Sequence, residues 1–227
     1  PQGLLHTFRA LRSRNYRLFF IGQGISLIGT WMQSMAQQLL VYQLTGSATS
    51  LGIISFIGLI PLIPFSLWGG SIAARISKQK IILATQVMML FQALLLAIVT
   101  WTGVVQIWHV YLLAFFLGVA TAVDTPARQA FTVELVEGKE DLTNAIGLNS
   151  AMFNTGRALG PALAGIVVAA TGAGTAFFLN ALTFVAVIIC LLLMRNLPSS
   201  SIRMARGSST LMHMGEGLQF VIKQQAL

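Results

Sequence analysis

Long runs of apolar residues, separated by short polar gaps, dominate the order of residues along this chain. A helix needs about 20 such residues to cross a bilayer core of roughly 30 Å, and six runs approach or exceed that length. They predict transmembrane helices at residues 18–42, 48–73, 81–101, 107–129, 145–170 and 175–194. The first run lacks a small-residue cleavage site, so it predicts a span rather than a signal peptide.

Lysine and arginine mark alternate ends of these runs. They precede the first run and follow the second, fourth and sixth, whereas the loops around Gly46, Gly103 and Gly172 contain none. Basic loops stay on the cytoplasmic side of a membrane. We therefore expect the basic N-terminal segment 1–17 to be cytoplasmic, together with the serine-, glycine- and arginine-containing linker 195–227.

Composition excludes several classes of protein. The chain is 56% hydrophobic and 9% charged, whereas soluble domains are about 25% charged. The net charge of +8 lies in the gaps between apolar runs, and not on one face as in nucleic-acid-binding domains. The single cysteine, Cys190, excludes an internal disulfide and a cysteine-rich metal site.

Polar residues recur along one face of the first predicted helix. They are Gln23, Ser26, Thr30, Gln33 and Gln37, at steps of three and four. Polar side chains within a membrane usually face a cavity, a partner helix or water. We expect this stripe to line an aqueous path; the alternative is that its members only bond to neighbouring helices, each contributing about 1 kcal/mol or less.

The fifth predicted helix carries a stripe of small residues, Gly156, Gly160 and Ala164, with Asn149 and Phe153 on the same face. Small residues at this spacing let another helix approach closely. The stripe therefore predicts a tight helix crossing.

A second stripe on this helix contains Ser150, Asn154, Arg157 and Pro161. An arginine at mid-membrane costs roughly 2.5 to 3.5 kcal/mol on insertion scales, so we expect Arg157 to face a cavity or a partner and to offer a positive site to an anion. The alternative is a structural arginine whose head group reaches toward the interface.

Asp124 is the acidic residue nearest to a predicted span interior. It lies about 6 Å from the end of its helix, and Arg157 lies roughly 15 to 18 Å deep in the neighbouring one, at 1.5 Å per residue. This difference in depth argues against a pair. We expect Asp124 to pair with Arg128 one turn later, or with Lys78 or Arg75 in the nearby loop.

Two motifs resemble those of the major facilitator superfamily. The run GGSIAARISKQKII, residues 69–82, is similar to the loop GxLaDRxGRRxxL between helices two and three, although alanine replaces its aspartate and serine one glycine. Residues of this loop segment that we single out are Gly70, Arg75, Lys78 and Lys80.

The run GRALGPALAG, residues 156–165, resembles the exporter signature GxxxGPxxGG, with Ala164 in place of one glycine. The matching positions are Gly156, Gly160, Pro161 and Gly165. The runs VDTPARQAF from Val123 and NAIGLNSAMFNTGRALGPALAG from Asn144 resemble the branch with enterobactin-exporter-like proteins and transmembrane secretion effectors.

The resemblance implies an all-α membrane fold, namely the N-terminal six-helix bundle of a twelve-helix transporter, built as a 3+3 inverted repeat. It implies a proton-coupled secondary exporter of a small molecule, such as a siderophore-like metabolite or a drug, working by alternating access in the bacterial cytoplasmic (inner) membrane. The expected partners are the lipid bilayer, the substrate, protons and a C-terminal six-helix half. Helices one and four should line the path, and we expect Asn149, Asn154 and Arg157 to join the glutamine stripe there.

Other functions stay open at this stage. An importer or a lipid flippase of the same superfamily fits the motifs, and a channel or a membrane scaffold is a further alternative. An enzyme is not expected, because His6, His109 and His213 lie at predicted helix ends or loops and no nucleophile–base pair is evident. We expect no cofactor, no metal and no nucleic-acid partner.

Overall fold

The computed structural model of the chain describes residues 9–65, 76–136 and 138–195, and the elements in these ranges are all helical. A 3-10 turn, Arg9–Arg12, precedes the first α-helix. The α-helices are α1 Arg14–Thr45, α2 Ala48–Leu59, α3 Lys78–Trp101, α4 Ile107–Leu135, α5 Lys139–Thr171 and α6 Ala173–Leu192. The described residues of each predicted span are thus mainly helical.

Four helices, α1, α3, α4 and α5, extend beyond the predicted spans at the end that carries the basic residues. Helix α4 continues to Leu135, past the predicted end at residue 129, and α5 begins at Lys139, before the predicted start at residue 145. Charged residues end an apolar run, but they are compatible with a helix. The apolar pattern therefore marked the apolar part of these helices and not the full helix.

Within the described ranges, four segments are long and apolar enough to cross a membrane by length and composition: Ala48–Phe65, Lys78–Trp101, Ile107–Leu135 and Ala173–Leu192. Helices α1 and α5 are the longest, with 32 and 33 residues. At 1.5 Å per residue each measures about 50 Å. They carry the polar stripes, which explains why hydropathy alone does not select them.

A turn at Ile60–Pro61 interrupts the second apolar segment, and helical structure resumes at residues 62–65. Proline has no backbone N–H and its ring clashes with the preceding turn, so the interruption at Pro61 has a local cause. Helix α5, in contrast, runs without a break through Pro161.

The bundle interior consists of three apolar layers. One lies at the basic end, around Tyr16 and Phe131, and another at the opposite end, around Leu96 and Phe177. The thin middle layer includes Met89 and Phe184. Helix α1 packs mainly on α5 and α6, and α3 on α6 and α4, whereas α1 and α4 touch only slightly. Space is therefore left between α1 and α4.

Glycines permit the closest helix crossings. A Cβ atom on Gly160 would meet the backbone of α1, at 2.9 Å from Met32 N and 3.0 Å from Ile28 O, and one on Gly156 would lie 3.0 Å from Leu27 Cγ. The tight crossing predicted from the small-residue stripe of α5 is confirmed, and its partner is α1.

Polar contacts join the helices at the basic end. Asn15 Nδ2 donates to the carbonyl of Arg195 at 2.7 Å, while Arg195 N donates to Asn15 Oδ1 at 3.2 Å. Lys78 Nζ lies 2.6 Å from Glu134 Oε1. The starts of α1 and α3 are thereby tied to the ends of α6 and α4.

Candidate functional site

A cavity of about 340 Å³ occupies the space between α1, α4 and α5, with α3 and α6 behind it. It lies in the half of the bundle nearer the basic helix ends, since its lining begins at Gln23 on α1 and reaches Thr132 on α4. A volume of this size falls in the range of small-molecule sites.

The polar stripe of α1 divides between two environments. Gln23, Ser26 and Thr30 line the cavity, as expected from the sequence. Gln33 and Gln37 are buried and do not line it. The expectation that the whole stripe faces one aqueous path therefore needs correction for these two glutamines.

Gln33 instead joins a buried amide network. Its Nε2 donates to Gln92 Oε1 on α3 at 3.0 Å, and its Oε1 accepts from Asn180 Nδ2 on α6 at 2.7 Å. All three side chains are at most 3% exposed. For Gln33, the structure therefore agrees with the alternative interpretation of the stripe, in which its side chains bond to neighbouring helices.

The side of the cavity formed by α4, which we call the cavity floor, contains an ion pair. Arg128 Nη2 and Nε both lie 2.7 Å from Asp124 Oδ2, as the spacing of four residues predicts. The other carboxylate oxygen accepts from Thr85 Oγ1 at 2.6 Å and from Gln86 Nε2 at 3.3 Å. Arg128 Nη1 donates to Gln23 Oε1 on α1. This network connects three helices at the cavity floor.

Thr85 and Gln86 belong to this site although the sequence patterns did not single them out. Both are buried, and Gln86 lines the cavity. Their signal was present as two adjacent polar residues near the start of the apolar helix α3. Without a repeating stripe, it did not stand out.

Aromatic side chains form the opposite wall. Trp31 on α1 and Phe153 on α5 both line the cavity, with ring centroids 5.6 Å apart in an edge-to-face arrangement. Phe184 closes the α6 side. The cavity therefore offers an apolar surface facing a polar floor.

The polar residues of α5 separate in the same way. Asn149 lines the cavity, whereas Asn154 and Arg157 are exposed on α5 and do not line it. Arg157 has no ion-pair partner within the described part of the chain. Its pairing with Asp124, which the depth argument opposed, does not occur.

The two motif regions are placed as follows. Gly70 and Arg75 lie outside the described residues, while Lys78 forms its ion pair with Glu134 and Lys80 is exposed on the first turn of α3. In the second motif, Gly156 and Gly160 support the α1 crossing, but a Cβ built on Gly165 would meet no described atom within 4 Å apart from its chain neighbours and the nearby backbone of α5.

Comparison with known proteins identifies the family. The transmembrane secretion effector family matches residues 5–222 of the chain. The chain belongs to this family of major facilitator superfamily transporters. The match includes all six helices and both walls of the cavity.

Individual relatives agree with the family. The staphyloferrin A transporter of Staphylococcus aureus is 30% identical over 77% of this chain and 44% of its own length. Macrolide efflux protein A of Streptococcus pyogenes is 29% identical over 67% of this chain and 38% of its own. The MFS-type transporter YfiS of Bacillus subtilis is 24% identical over 90% and 48% respectively. The aligned part is less than half of each relative.

In this member of the transmembrane secretion effector family, Gln33 and Thr30 should respond differently to substitution. We expect Gln33→Leu to lower the free energy of unfolding by about 1–2 kcal/mol, because Gln92 and Asn180 lose their partner inside the bundle. Thermal unfolding of the purified full chain in detergent measures this effect. Thr30→Val, one turn away on the cavity wall, is the matched control and should change stability by less than about 0.5 kcal/mol. Equal losses would contradict the division of the stripe.

Proposed function

We propose that this chain is the N-terminal six-helix bundle of a secondary transporter that exports a small molecule from the bacterial cytoplasm by alternating access, with protons as the coupling ion. The observation that carries the proposal is the cavity between α1 and α4, with its polar floor and aromatic wall. Binding sites of this type place a few polar groups on an otherwise apolar surface. Family membership supports transport, and the names of two relatives, a staphyloferrin A transporter and a macrolide efflux protein, support small-molecule cargo.

In this proposal all six helices cross the membrane as two inverted repeats of three, including the more polar α1 and α5. Four polar residues of the α1 stripe are consistent with a span, because Gln33 bonds to α3 and α6 and the other three, Gln23, Ser26 and Thr30, face the cavity. The basic ends of the helices are cytoplasmic by the distribution of lysine and arginine. The cavity then lies in the cytoplasmic half, where an exporter takes up its substrate.

Arg157 contributes from a second surface. It lies near the middle of α5 and is exposed on that helix. A charged side chain at this depth is unfavourable in contact with lipid. We propose that it faces the C-terminal half of the complete transporter, where it meets either a carboxylate or the substrate, together with Asn154.

Export is tested by comparing the metabolites of cells that carry or lack the complete gene, under iron limitation and in rich medium. We expect one compound to disappear from the medium and accumulate in deleted cells, and the wild-type gene to reverse both changes. In the deleted cells, a gene with Arg157→Gln should restore several-fold less export than the wild-type gene, although the two proteins are equally abundant in the membrane. Arg14→Gln, which removes a charge at the exposed start of α1, is the matched control and should restore it fully.

An uncoupler distinguishes the modes of transport in the same cells. A proton-driven exporter should stop moving the compound against its gradient, whereas a channel would continue to move it down the gradient. Identical metabolite profiles with and without the gene would contradict export. Full restoration by Arg157→Gln would contradict the role of this arginine while leaving export in place.

A further inference from the structure

We propose that Arg128, oriented by Asp124, binds the anionic group of an amphipathic substrate whose apolar part lies against Trp31 and Phe153. This inference rests on the proposed transport function and names the substrate class of the same cavity. Among the described residues that line the cavity, Arg128 and Asp124 are the ionisable ones, so the question is which of the two charges a ligand meets.

The two charged side chains differ in how many of their hydrogen-bonding groups are still without a partner. The Asp124 carboxylate already accepts hydrogen bonds at both oxygens, from Thr85 and Gln86 on one and from Arg128 on the other. The Arg128 guanidinium carries five N–H donors, of which the bonds to Asp124 and Gln23 engage three. Two donors thus stay available to a ligand.

The exposure of the two side chains also favours Arg128 as the group that meets a ligand. The Arg128 side chain is 15% exposed and that of Asp124 is 8% exposed. The carboxylate is turned toward α3, where Thr85 and Gln86 hold it, whereas the guanidinium lies between α4 and α1 on the cavity floor. The Arg128 Cζ atom is also 5.9 Å from the centre of the Phe19 ring, so its position is fixed from a second side. The cavity consequently presents its positive charge more than its negative one.

Gln86 adds an acceptor beside this donor. Its Nε2 is bound to Asp124, which aligns the amide, but its Oε1 has no hydrogen-bond partner among the described residues. The side chain is 1% exposed and lines the cavity. A buried acceptor without a partner is unfavourable; because this oxygen is itself buried, an N–H or O–H group of the ligand would reach it after the side chain turns toward the cavity. The site therefore fits an anionic group with a neighbouring donor.

The aromatic wall completes the description of the ligand. Trp31 and Phe153 face the cavity across from α4, and their edge-to-face packing orders both rings. A rigid apolar surface opposite a guanidinium selects molecules that combine a ring system or hydrocarbon part with an acidic group. Arg157 does not line the cavity, so Arg128 is the anion site within this bundle.

A matched pair of dyes tests the proposal. The probe 8-anilinonaphthalene-1-sulfonate has an aromatic body, an N–H group and an anionic group, while N-phenyl-1-naphthylamine lacks only the sulfonate. Binding of each to the purified full chain is measured by equilibrium dialysis, with empty detergent micelles subtracted. The charge-neutral double variant Asp124→Asn/Arg128→Gln should bind the sulfonate at least about tenfold more weakly and the neutral dye within about twofold of the wild type.

Two controls exclude a general loss of structure or charge. The double variant leaves neither member of the Asp124–Arg128 pair charged without its partner, and its thermal unfolding is measured beside the wild type. Arg17→Gln removes one exposed positive charge from α1 outside the cavity and should leave the binding of both dyes unchanged. Arg128→Lys keeps the charge but not the fork of donors, and it should recover only part of the affinity for the sulfonate.

The outcomes separate the site from the function. Equal weakening of both dyes, no weakening of the sulfonate, or a wild type that does not prefer the sulfonate would overturn the anion site. Normal export by the double variant in the metabolite experiment would overturn the anion site alone. A chain with the expected dye selectivity that exports no compound would overturn the proposed export and leave the binding site standing.

Discussion

Replacement of Gly160 by alanine is expected to lower the free energy of unfolding by about 1–3 kcal/mol, because the added methyl group overpacks the α1 crossing. The group would lie 2.9 Å from Met32 N and 3.0 Å from Ile28 O, which are backbone atoms that a rotamer change does not move. Helices α1 and α5 must separate, and both form walls of the cavity. Thermal unfolding of the purified full chain measures the loss, and transport should fall with it.

Gly147 provides a matched control on the same helix. Apart from its chain neighbours and the nearby backbone of α5, no described atom lies within 4 Å of a Cβ built at this position, and alanine favours helix more than glycine by about 1 kcal/mol in soluble helices. Gly147→Ala should therefore be neutral or slightly stabilising. If Gly160→Ala unfolded at the same temperature as Gly147→Ala, the crossing would be looser than the structure shows, and α5 would have room to approach α1 further.

Arg128→Gln is expected to lower the free energy of unfolding by about 3 kcal/mol, since it leaves the Asp124 carboxylate enclosed without its ion-pair partner. Asp124 is 5% exposed and keeps only its bonds from Thr85 and Gln86. The double variant Asp124→Asn/Arg128→Gln should recover most of this loss, because an amide in place of the carboxylate carries no charge. Thermal unfolding of the wild type, both single variants and the double variant completes the cycle.

The cycle also checks whether the pair acts as one unit. The losses of unfolding free energy in the two single variants, added together, should exceed the loss in the double variant by more than about 1 kcal/mol. A coupling of this size is typical of residues in direct contact. Strict additivity would mean that Asp124 and Arg128 do not interact in the folded chain. The Lys78–Glu134 pair is partly buried, with side chains 17% and 27% exposed, and it offers a comparison in which the carboxylate is more accessible to water than that of Asp124.

Helix placement could be predicted from the sequence because each apolar run is long enough to form a helix. The Asp124–Arg128 pair was equally accessible, since a spacing of four residues brings two side chains together on any α-helix. The close approach at Gly156 and Gly160 followed from residue size alone, although the identity of the partner helix did not. These features depend on contacts within a helix or on the character of one helix face.

The division of the α1 stripe could not be predicted in the same way. Gln33 finds its partners in Gln92 and Asn180, which are 59 and 147 residues away along the chain. Gln23 meets Arg128 at a separation of 105 residues. Periodicity shows that these glutamines share a face, but neighbouring helices cover that face at one depth and leave it open at another. Thr85 and Gln86 were missed for a related reason, because their partner lies on α4.

The sequence by itself determined the membrane character of this chain, the approximate positions of the α-helices in its described part, the ion pair within α4 and the small face of α5. Local spacing and residue type suffice for these, because a helix fixes the relation between residues three and four apart. Only the tertiary structure decided that a cavity separates α1 from α4, that Gln23 reaches it while Gln33 does not, and that Arg128 faces it while Arg157 does not. These properties depend on how each helix is rotated toward its neighbours, and that rotation is set by packing among all six helices.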